Sequence, residues 1–248
     1  MNTVYVLWIR EIKKYFRSKS RIIGALGQPI LFLIAFGYGF QSIFKKAGGG
    51  NYIEFLAPGI ILMSVLFTGV FSGINLIWDR EFGFLKETMA APVSRFSIIL
   101  GKTLGGATVA LMQGIIVFLL TLIIGFKITH YWLLPIAFIF VFLVSLLFTS
   151  LGTTIASMLE DMQGFQLIIN FLVMPIFFLS GALFPLTGLP KALKIVARID
   201  PLTYGIDGLR HALIAIHSFS YIVDFLVLFI LTIIILGIGT YVFERIQV

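Results

Sequence analysis

The chain has no cysteine, only three histidines and few charges. Without cysteine there is no disulfide framework, thiol nucleophile or cysteine metal site. There is no HExxH pair for zinc, and His130, His211 and His217 are scattered. The GxSxG nucleophile elbow is also missing. Charged residues make up 12% of the 248 residues, about half the share of a soluble domain. What remains is apolar: 59% of residues are hydrophobic and the mean hydropathy is +1.07. That composition excludes an ordinary soluble enzyme.

Six stretches are apolar enough to cross a bilayer: roughly 22–44, 55–78, 103–126, 132–158, 164–184 and 222–243. Each meets or approaches the ~20 apolar residues a helix needs to cross ~30 Å of hydrocarbon. None has an acidic or basic residue at its centre. Within the spans the polar groups are Gln28, Asn75, Gln113, Gln166, Asn170 and scattered Ser and Thr, while Asp79 and Asp224 sit at span ends. Proton relays and ion-driven carriers usually need ionisable groups inside the membrane, so a proton relay is disfavoured. Sodium coupling through carbonyls and hydroxyls stays open. If the chain moves a solute actively, the energy comes from another subunit.

Little chain lies outside the spans, so residues 1–248 read as one membrane domain. No cleavable signal peptide is evident. The first 21 residues hold Arg10, Lys13, Lys14, Arg17, Lys19 and Arg21 against Glu11 alone. Nucleic-acid binding is one reading of such a basic start. The better one is that positive charge beside a first span holds that end in the cytoplasm. With the N-terminus inside, eleven Lys and Arg fall on the inner side and seven on the outer side, which places the C-terminus inside too.

Residues 1–20 contain a candidate interfacial helix over 3–17. Val4, Tyr5, Trp8, Ile12, Tyr15 and Phe16 recur at helical spacing, with Arg10, Lys13, Lys14 and Arg17 largely opposite. A plain flanking anchor is the alternative. Gln28-Pro29 predicts a kink in span one, and Gly48-Gly49-Gly50 a flexible outer turn. Gly69-x-x-x-Gly73 and Gly101-x-x-x-Gly105 permit close helix approach. Gly101-Lys102-Thr103 imitates the end of a phosphate loop, but Phe96 stands where the glycine is required and a span follows, so no nucleotide site is assigned.

The segment 79–97 is the longest inner loop. A short helix there, ended near Ala91 by Pro92, is a candidate docking element. An ordinary solvated loop is the alternative. The outer segment 185–218 is too apolar for a free loop, yet its prolines and charges break every candidate span. It reads as two short helices that dip into the outer leaflet and return, joined by Asp200-Pro201-Leu202. Leu189, Leu193, Val196 and Ile199 form one apolar face, and Leu209, Leu213 and Ile216 another.

Four stretches resemble the type-2 ABC exporter permeases, particularly the daunorubicin-resistance and nodulation-factor exporter branch. They are Phe55-Leu56-Ala57-Pro58-Gly59, Trp78 through Glu87 (WDREFGFLKE), Ala91-Pro92-Val93-Ser94-Arg95, and Asp200 through Arg210 (DPLTYGIDGLR). The last departs from the family pattern in having Asp200 where Asn is usual, which keeps a side-chain acceptor beside Pro201. The resemblance implies an all-α integral membrane fold of six transmembrane helices, preceded by the interfacial helix and with re-entrant outer helices between spans five and six.

Functionally, it implies a non-catalytic permease in the cell membrane that works as a homodimer with two copies of an ABC ATP-binding subunit. It implies no cofactor on this chain, with ATP and Mg on the partner. Carried over, Arg10, Lys13 and Arg17, with the segment around Glu81–Arg95, contact that partner. Phe82, Leu85 and Met89 would be buried in the partner's groove, and Glu81, Lys86 and Glu87 would set register. Charge reversal at Glu87 or Arg95 is expected to uncouple ATP hydrolysis from transport.

In that family the substrate path follows the dimer axis along spans one, two and five. Here its candidates are Phe32, Phe36, Phe67, Phe71, Asn75, Asn170, Phe171 and Phe178. Packing against lipid or neighbouring helices is the alternative for each. Phe with a few amides suits an amphipathic, drug-like or lipid cargo, or a lipid-linked glycan. The signature residues Asp200, Pro201, Tyr204, Asp207 and Arg210 belong to the outer short helices, which act as the family's external gate. Two other readings exist: a stand-alone ion-coupled or passive carrier, and a membrane enzyme acting on lipids, which would need His beside the inner acids Glu81, Glu87, Glu160 and Asp161.

Overall fold

The computed structural model describes residues 3–48, 50–186 and 190–245. Gly49, Leu189 and the side chain of Arg21 lie outside the described residues. Among those described, the chain is helical with no strand. In order come α1 (Thr3–Arg17), α2 (Lys19–Gly39), α3 (Gln41–Lys46), α4 (Tyr52–Phe71), α5 (Ile74–Glu81), α6 (Phe84–Ala90) and α7 (Arg95–Ile124). After a 3-10 turn at Tyr131–Leu133 follow α8 (Leu134–Met158), α9 (Met162–Leu179), α10 (Lys191–Ile199), α11 (Pro201–Ile214) and α12 (Tyr221–Glu244). Six helical stretches are long and apolar enough to cross a membrane: Ile22–Gly39, Tyr52–Glu81, Arg95–Ile124, Tyr131–Met158, Met162–Leu179 and Tyr221–Glu244.

Short polar residues start several of these helices by accepting from the free amides of the first turn. Asn51 caps α4 through Ile53 N, Ser94 caps α7 through Ser97 N, and Ser220 caps α12 through Val223 N. Gly125, at φ 112°, ends α7 in the left-handed conformation that glycine tolerates best.

Helices α4, α7 and α8 pack against one another and form the centre. Glycines let them approach. A Cβ on Gly69 would lie 3.0 Å from Thr149 Oγ1, and one on Gly73 would strike the Gly152 carbonyl of α8. Gly69-x-x-x-Gly73 is thus the seam between α4 and α8, as such spacing allows. Around this centre, α1 lies along α7, α2 along α4, and α11 and α12 along α8. Helix α9 is peripheral and buries one stripe: Phe165, Ile169, Val173 and Phe177. Helix α2 buries little beyond Pro29, Leu33 and Gly37 and exposes Ile23, Leu31, Ile34 and Tyr38.

Several boundaries differ from the sequence expectation. Span one is helical only to Gly39, and α2 runs through Pro29 without interruption. Span three starts two turns early, at Arg95, because Ser94 caps it there, so Lys102 lies well inside the helix rather than just ahead of the span. The inner loop does form a short helix, α6, ending at Ala90 ahead of Pro92. The outer segment forms two helices meeting at Asp200, which caps α11 by accepting from Leu202 N at 2.9 Å with Pro201 in the first turn. The face of α10 read as apolar is exposed at Leu193, Val196 and Ile199, whereas Leu209 and Leu213 of α11 are buried.

Candidate functional site: a coupling end, an aromatic path and an outer end

Helix α1 is clamped onto α7. A Cβ on Gly101 would lie 2.9 Å from the Leu7 Cβ, and one on Gly105 only 2.6 Å from the Glu11 Cβ. The Gly101-x-x-x-Gly105 pair is therefore the seat of α1. Trp8 Nε1 donates to Thr108 Oγ1 at 2.9 Å, and the Tyr15 hydroxyl donates to Gln113 Oε1 at 2.8 Å. The face of α1 that packs centres on Leu7, Glu11 and Tyr15. Tyr5 and Phe16, read from sequence as part of the apolar face, are exposed.

The same contact brings five charges together. Arg10 donates two bonds to Asp79, both at 2.7 Å. Lys14 Nζ reaches Asp79 at 3.3 Å, and Lys102 pairs with the other Asp79 oxygen. Glu11 lies 3.6 Å from Arg10 and 3.9 Å from Lys14, and accepts from Asn75 Nδ2 at 3.1 Å. Glu11, Asp79 and Lys102 are buried. Burial opposes the Arg10 charge, but its hydrogen bond and attraction to Asp79, then Glu11, hold its pKa above the ordinary value. Sequence reading placed Asp79 at one span end and Lys102 just ahead of another span, so it missed this network. The available signal was Glu11, the lone acid among six bases.

Helix α6 docks on this cluster. The Arg10 guanidinium lies 3.6 Å from the Phe84 ring centroid, a cation–π contact. Gly83, at φ 78°, makes the elbow between α5 and α6. Leu85 is fully buried in this chain's own core, which leaves it no surface for a partner's groove, and Met89 is partly buried against the same core. Phe82 is 82% exposed, flanked by exposed Glu81, Lys86 and Glu87. Lys13 and Arg17 are exposed on α1, whereas Arg10 is turned inward onto Asp79. Arg95 donates to the Phe243 and Glu244 carbonyls at the end of α12, a favourable place for a cation.

The path candidates separate into groups. Phe32 meets Phe36 edge-on at 5.1 Å and stacks on Phe177 at 6.1 Å, linking α2 to α9. Phe177, absent from the sequence assignment, is the α9 partner. Phe171 and Phe178 instead point outward at 84% and 47% exposure, and Asn170 is exposed beside them. Phe67 and Phe71 stack on one face of α4 with centroids 6.3 Å apart. Asn75 belongs to the ionic cluster and not to this aromatic set.

At the far end of Tyr52–Glu81, Arg210 is buried, donates to the Phe55 and Gly181 carbonyls and lies over the Phe55 ring at 3.9 Å. Burial lowers its pKa to about 10, opposed by attraction to Asp207 and Tyr52. Asp207 accepts from Ser218 N and Phe219 N at 2.8–2.9 Å. Tyr204 donates to the Arg198 carbonyl at 2.7 Å, bridging α11 to α10. Burial pushes Asp200 up to about 7, opposed by its Leu202 amide bond. Four of the five signature residues, Asp200, Tyr204, Asp207 and Arg210, thus brace the α10–α11 unit and its neighbours, and Pro201 starts α11.

A bundle of six apolar spans with charge gathered at one end and braced short helices at the other is the architecture of a multi-pass membrane transporter subunit. Residues 2–214 match the family described as ABC-2 type transporter, and the chain belongs to that family. It is 29% identical over 208 residues to Nodulation protein J of Rhizobium leguminosarum bv. trifolii, covering 83% of this chain and 76% of the relative. It is 27% identical over 225 residues to the inner membrane transport permease YadH of Escherichia coli K12, covering 90% and 87%. It is also 31% identical over 210 residues to ycf38 of Cyanophora paradoxa, whose name describes a transport permease, covering 84% and 72%.

Proposed function

We propose that the chain is the non-catalytic permease of an ATP-driven exporter. Two copies pair with two ABC ATP-binding subunits, which carry the ATP and Mg. Membership of the ABC-2 family supports partnering with an ATP-binding subunit. The observation that carries the coupling reading is Phe82. It is the most exposed aromatic on the α5–α6 elbow, set among Glu81, Lys86 and Glu87 and braced from behind by Arg10 on Phe84. An exposed aromatic ringed by charges is the usual composition of an interface anchor. Motion delivered to α6 would pass through α5 to α4, the most buried helix. Lys13 and Arg17 of α1 extend the same surface.

The orientation that fits is both termini in the cytoplasm of a cell-membrane protein, with the whole chain as one permease domain. Helix α1 lies at the inner interface, where exposed Tyr5 and Phe16 meet lipid and Lys13 and Arg17 meet phosphates. Helices α10 and α11 re-enter the outer leaflet and gate the exit. The exposed faces of α2 and α9 meet a second copy, and Phe32, Phe36, Phe171 and Phe178 border the path between them. Its aromatic walls suit an amphipathic, drug-like or lipid cargo, or a lipid-linked glycan.

The test is ATP hydrolysis by the tagged chain co-expressed with a candidate ATP-binding subunit. Co-purified activity altered by Glu87→Lys supports the reading. ATP-independent flux in vesicles with no associated ATPase refutes it.

A further inference from the structure

A groove of about 610 Å³ runs along the outward side of α1, the helix that precedes the six membrane-crossing stretches. Arg10, Lys13, Lys14 and Arg17 line it and no acid does, while Val6 and Ile9 give it an apolar edge. Lys13 and Arg17 stand at i and i+4 on one face, and among the described residues neither has an ion pair. Lys14 faces two ways. It lines the groove, with its side chain 37% exposed, and its Nζ reaches Asp79 at 3.3 Å. An ammonium has three donors, so the contact with Asp79 leaves Lys14 able to bond a second anion. Behind the groove, Arg10, Lys14 and Lys102 are met only by Glu11 and Asp79, so the cluster holds more base than acid.

We propose that this groove holds one anionic phospholipid of the inner leaflet as a resident regulator and not as cargo. Lys13, Lys14 and Arg17 hold its phosphate, and its acyl chains run past Ile9 and Val6 into the bilayer. Charge complementarity selects the occupant. Four bases without an acid favour a headgroup with net negative charge over a zwitterionic one. A free phosphate ion has the same headgroup chemistry but lacks the chains that the apolar edge would bury. None of the lining residues belongs to α2 or α9, so the groove is separate from the aromatic contacts between those helices. Through Lys14 the headgroup offsets the excess base around Asp79, so acidic lipid steadies the seat of α1 on α7. The inference rests on the permease reading for placing α1 at the inner interface, and on nothing about cargo or ATP.

The test is native mass spectrometry of the full chain, purified in mild detergent with no ATP-binding subunit. It is titrated in turn with dioleoylphosphatidylglycerol, dioleoylphosphatidylcholine and inorganic phosphate. The first phosphatidylglycerol adduct should saturate at a concentration about tenfold or more below that for phosphatidylcholine, and inorganic phosphate should give none. Lys13→Gln and Arg17→Gln should each weaken the adduct about fivefold, the worth of one base near an acidic surface, and together about twentyfold. Both positions are exposed, so the melting temperature in detergent should not change. Lys191→Gln, on exposed α10, should leave binding as it is. Phosphatidylglycerol should also raise the melting temperature of the wild-type chain, and raise it less in Lys14→Gln. Equal affinity for the two lipids, a preference that survives the Lys13→Gln, Arg17→Gln double substitution, or equal binding of inorganic phosphate overturns the lipid site. An unchanged thermal shift in Lys14→Gln overturns the link to Asp79. None of these results bears on the exporter reading, which stands or falls on its own ATPase test.

Discussion

The two ends of the span Tyr52–Glu81 hold buried charge in opposite ways. At the α1 end, Asp79 and Glu11 are met by Arg10, Lys14 and Lys102, so charge faces charge. At the α11 end, Arg210 is met by two carbonyls and an aromatic ring, and Asp200 and Asp207 by backbone amides. An ion network joins elements distant in sequence and resists change until one member is lost. A charge held by backbone groups braces its local turns, and at Asp200 burial favours the protonated acid with only a backbone amide opposing it. The first end is tied together as one ionic unit, whereas the second holds a buried acid, Asp200, that titrates near 7.

Deleting Asp79 breaks the contrast most severely. Asp79→Ala strands Lys102, which is 5% exposed, and loss of one partner of a buried pair costs about 3–5 kcal/mol. Thermal unfolding in detergent should show the fall, and Asp79→Ala combined with Lys102→Met should regain much of it. If the double variant is no better than the single, the network is not one coupled unit.

The α11 end is sharpened by pH. Asp200 titrates near 7 in the fold and near 3.8 when unfolded. The folded state therefore keeps a proton that the unfolded state releases between those values. Stability from this group is complete below pH ~4 and is lost as pH rises toward ~7, by on the order of 4 kcal/mol. Asp200→Asn retains the cap on Leu202 N and should flatten the difference between melting curves at pH 5 and pH 8. An equal slope in both proteins would place the titration elsewhere.

A smaller effect is expected where α1 sits on α7. Gly105→Ala puts a methyl 2.6 Å from the Glu11 Cβ, and overpacking of this kind costs about 1–3 kcal/mol. Gly24→Ala, where nothing lies within 4 Å, is the matched control and should leave the melting temperature unchanged.

Sequence periodicity was enough for the six spans, the α6 helix and the α10–α11 pair, because length, apolar runs and proline breaks are local signals. Partners were not legible. Nothing local tells that Arg10 turns inward to Asp79 while Lys13 stays exposed, or that Leu85 is consumed by the chain's own core while Phe82 is not. The exit of Asn75 from the aromatic set has the same origin: its partner Glu11 is 64 residues away in sequence. The glycine pairs came nearest to a long-range signal, marking both close seams without naming α8 or α1 as the other side.

The smallest stability effect belongs to the residue with the largest expected effect on coupling. Phe82 is 82% exposed and rests on little of its own chain. Phe82→Ala should therefore change unfolding by no more than about 0.5 kcal/mol. If the ion-locked end works as a unit that hands on the motion of an ATP-binding partner, the same change should lower co-purification of that partner or its transport-linked ATPase by about tenfold or more, the scale of a central aromatic anchor. Lys86→Ala, exposed on the neighbouring surface, should do far less. A Phe82→Ala protein with wild-type stability and wild-type coupling would move the docking surface off the elbow and onto Lys13 and Arg17 of α1. The ionic cluster would then be a brace for α1 and not a relay into α4.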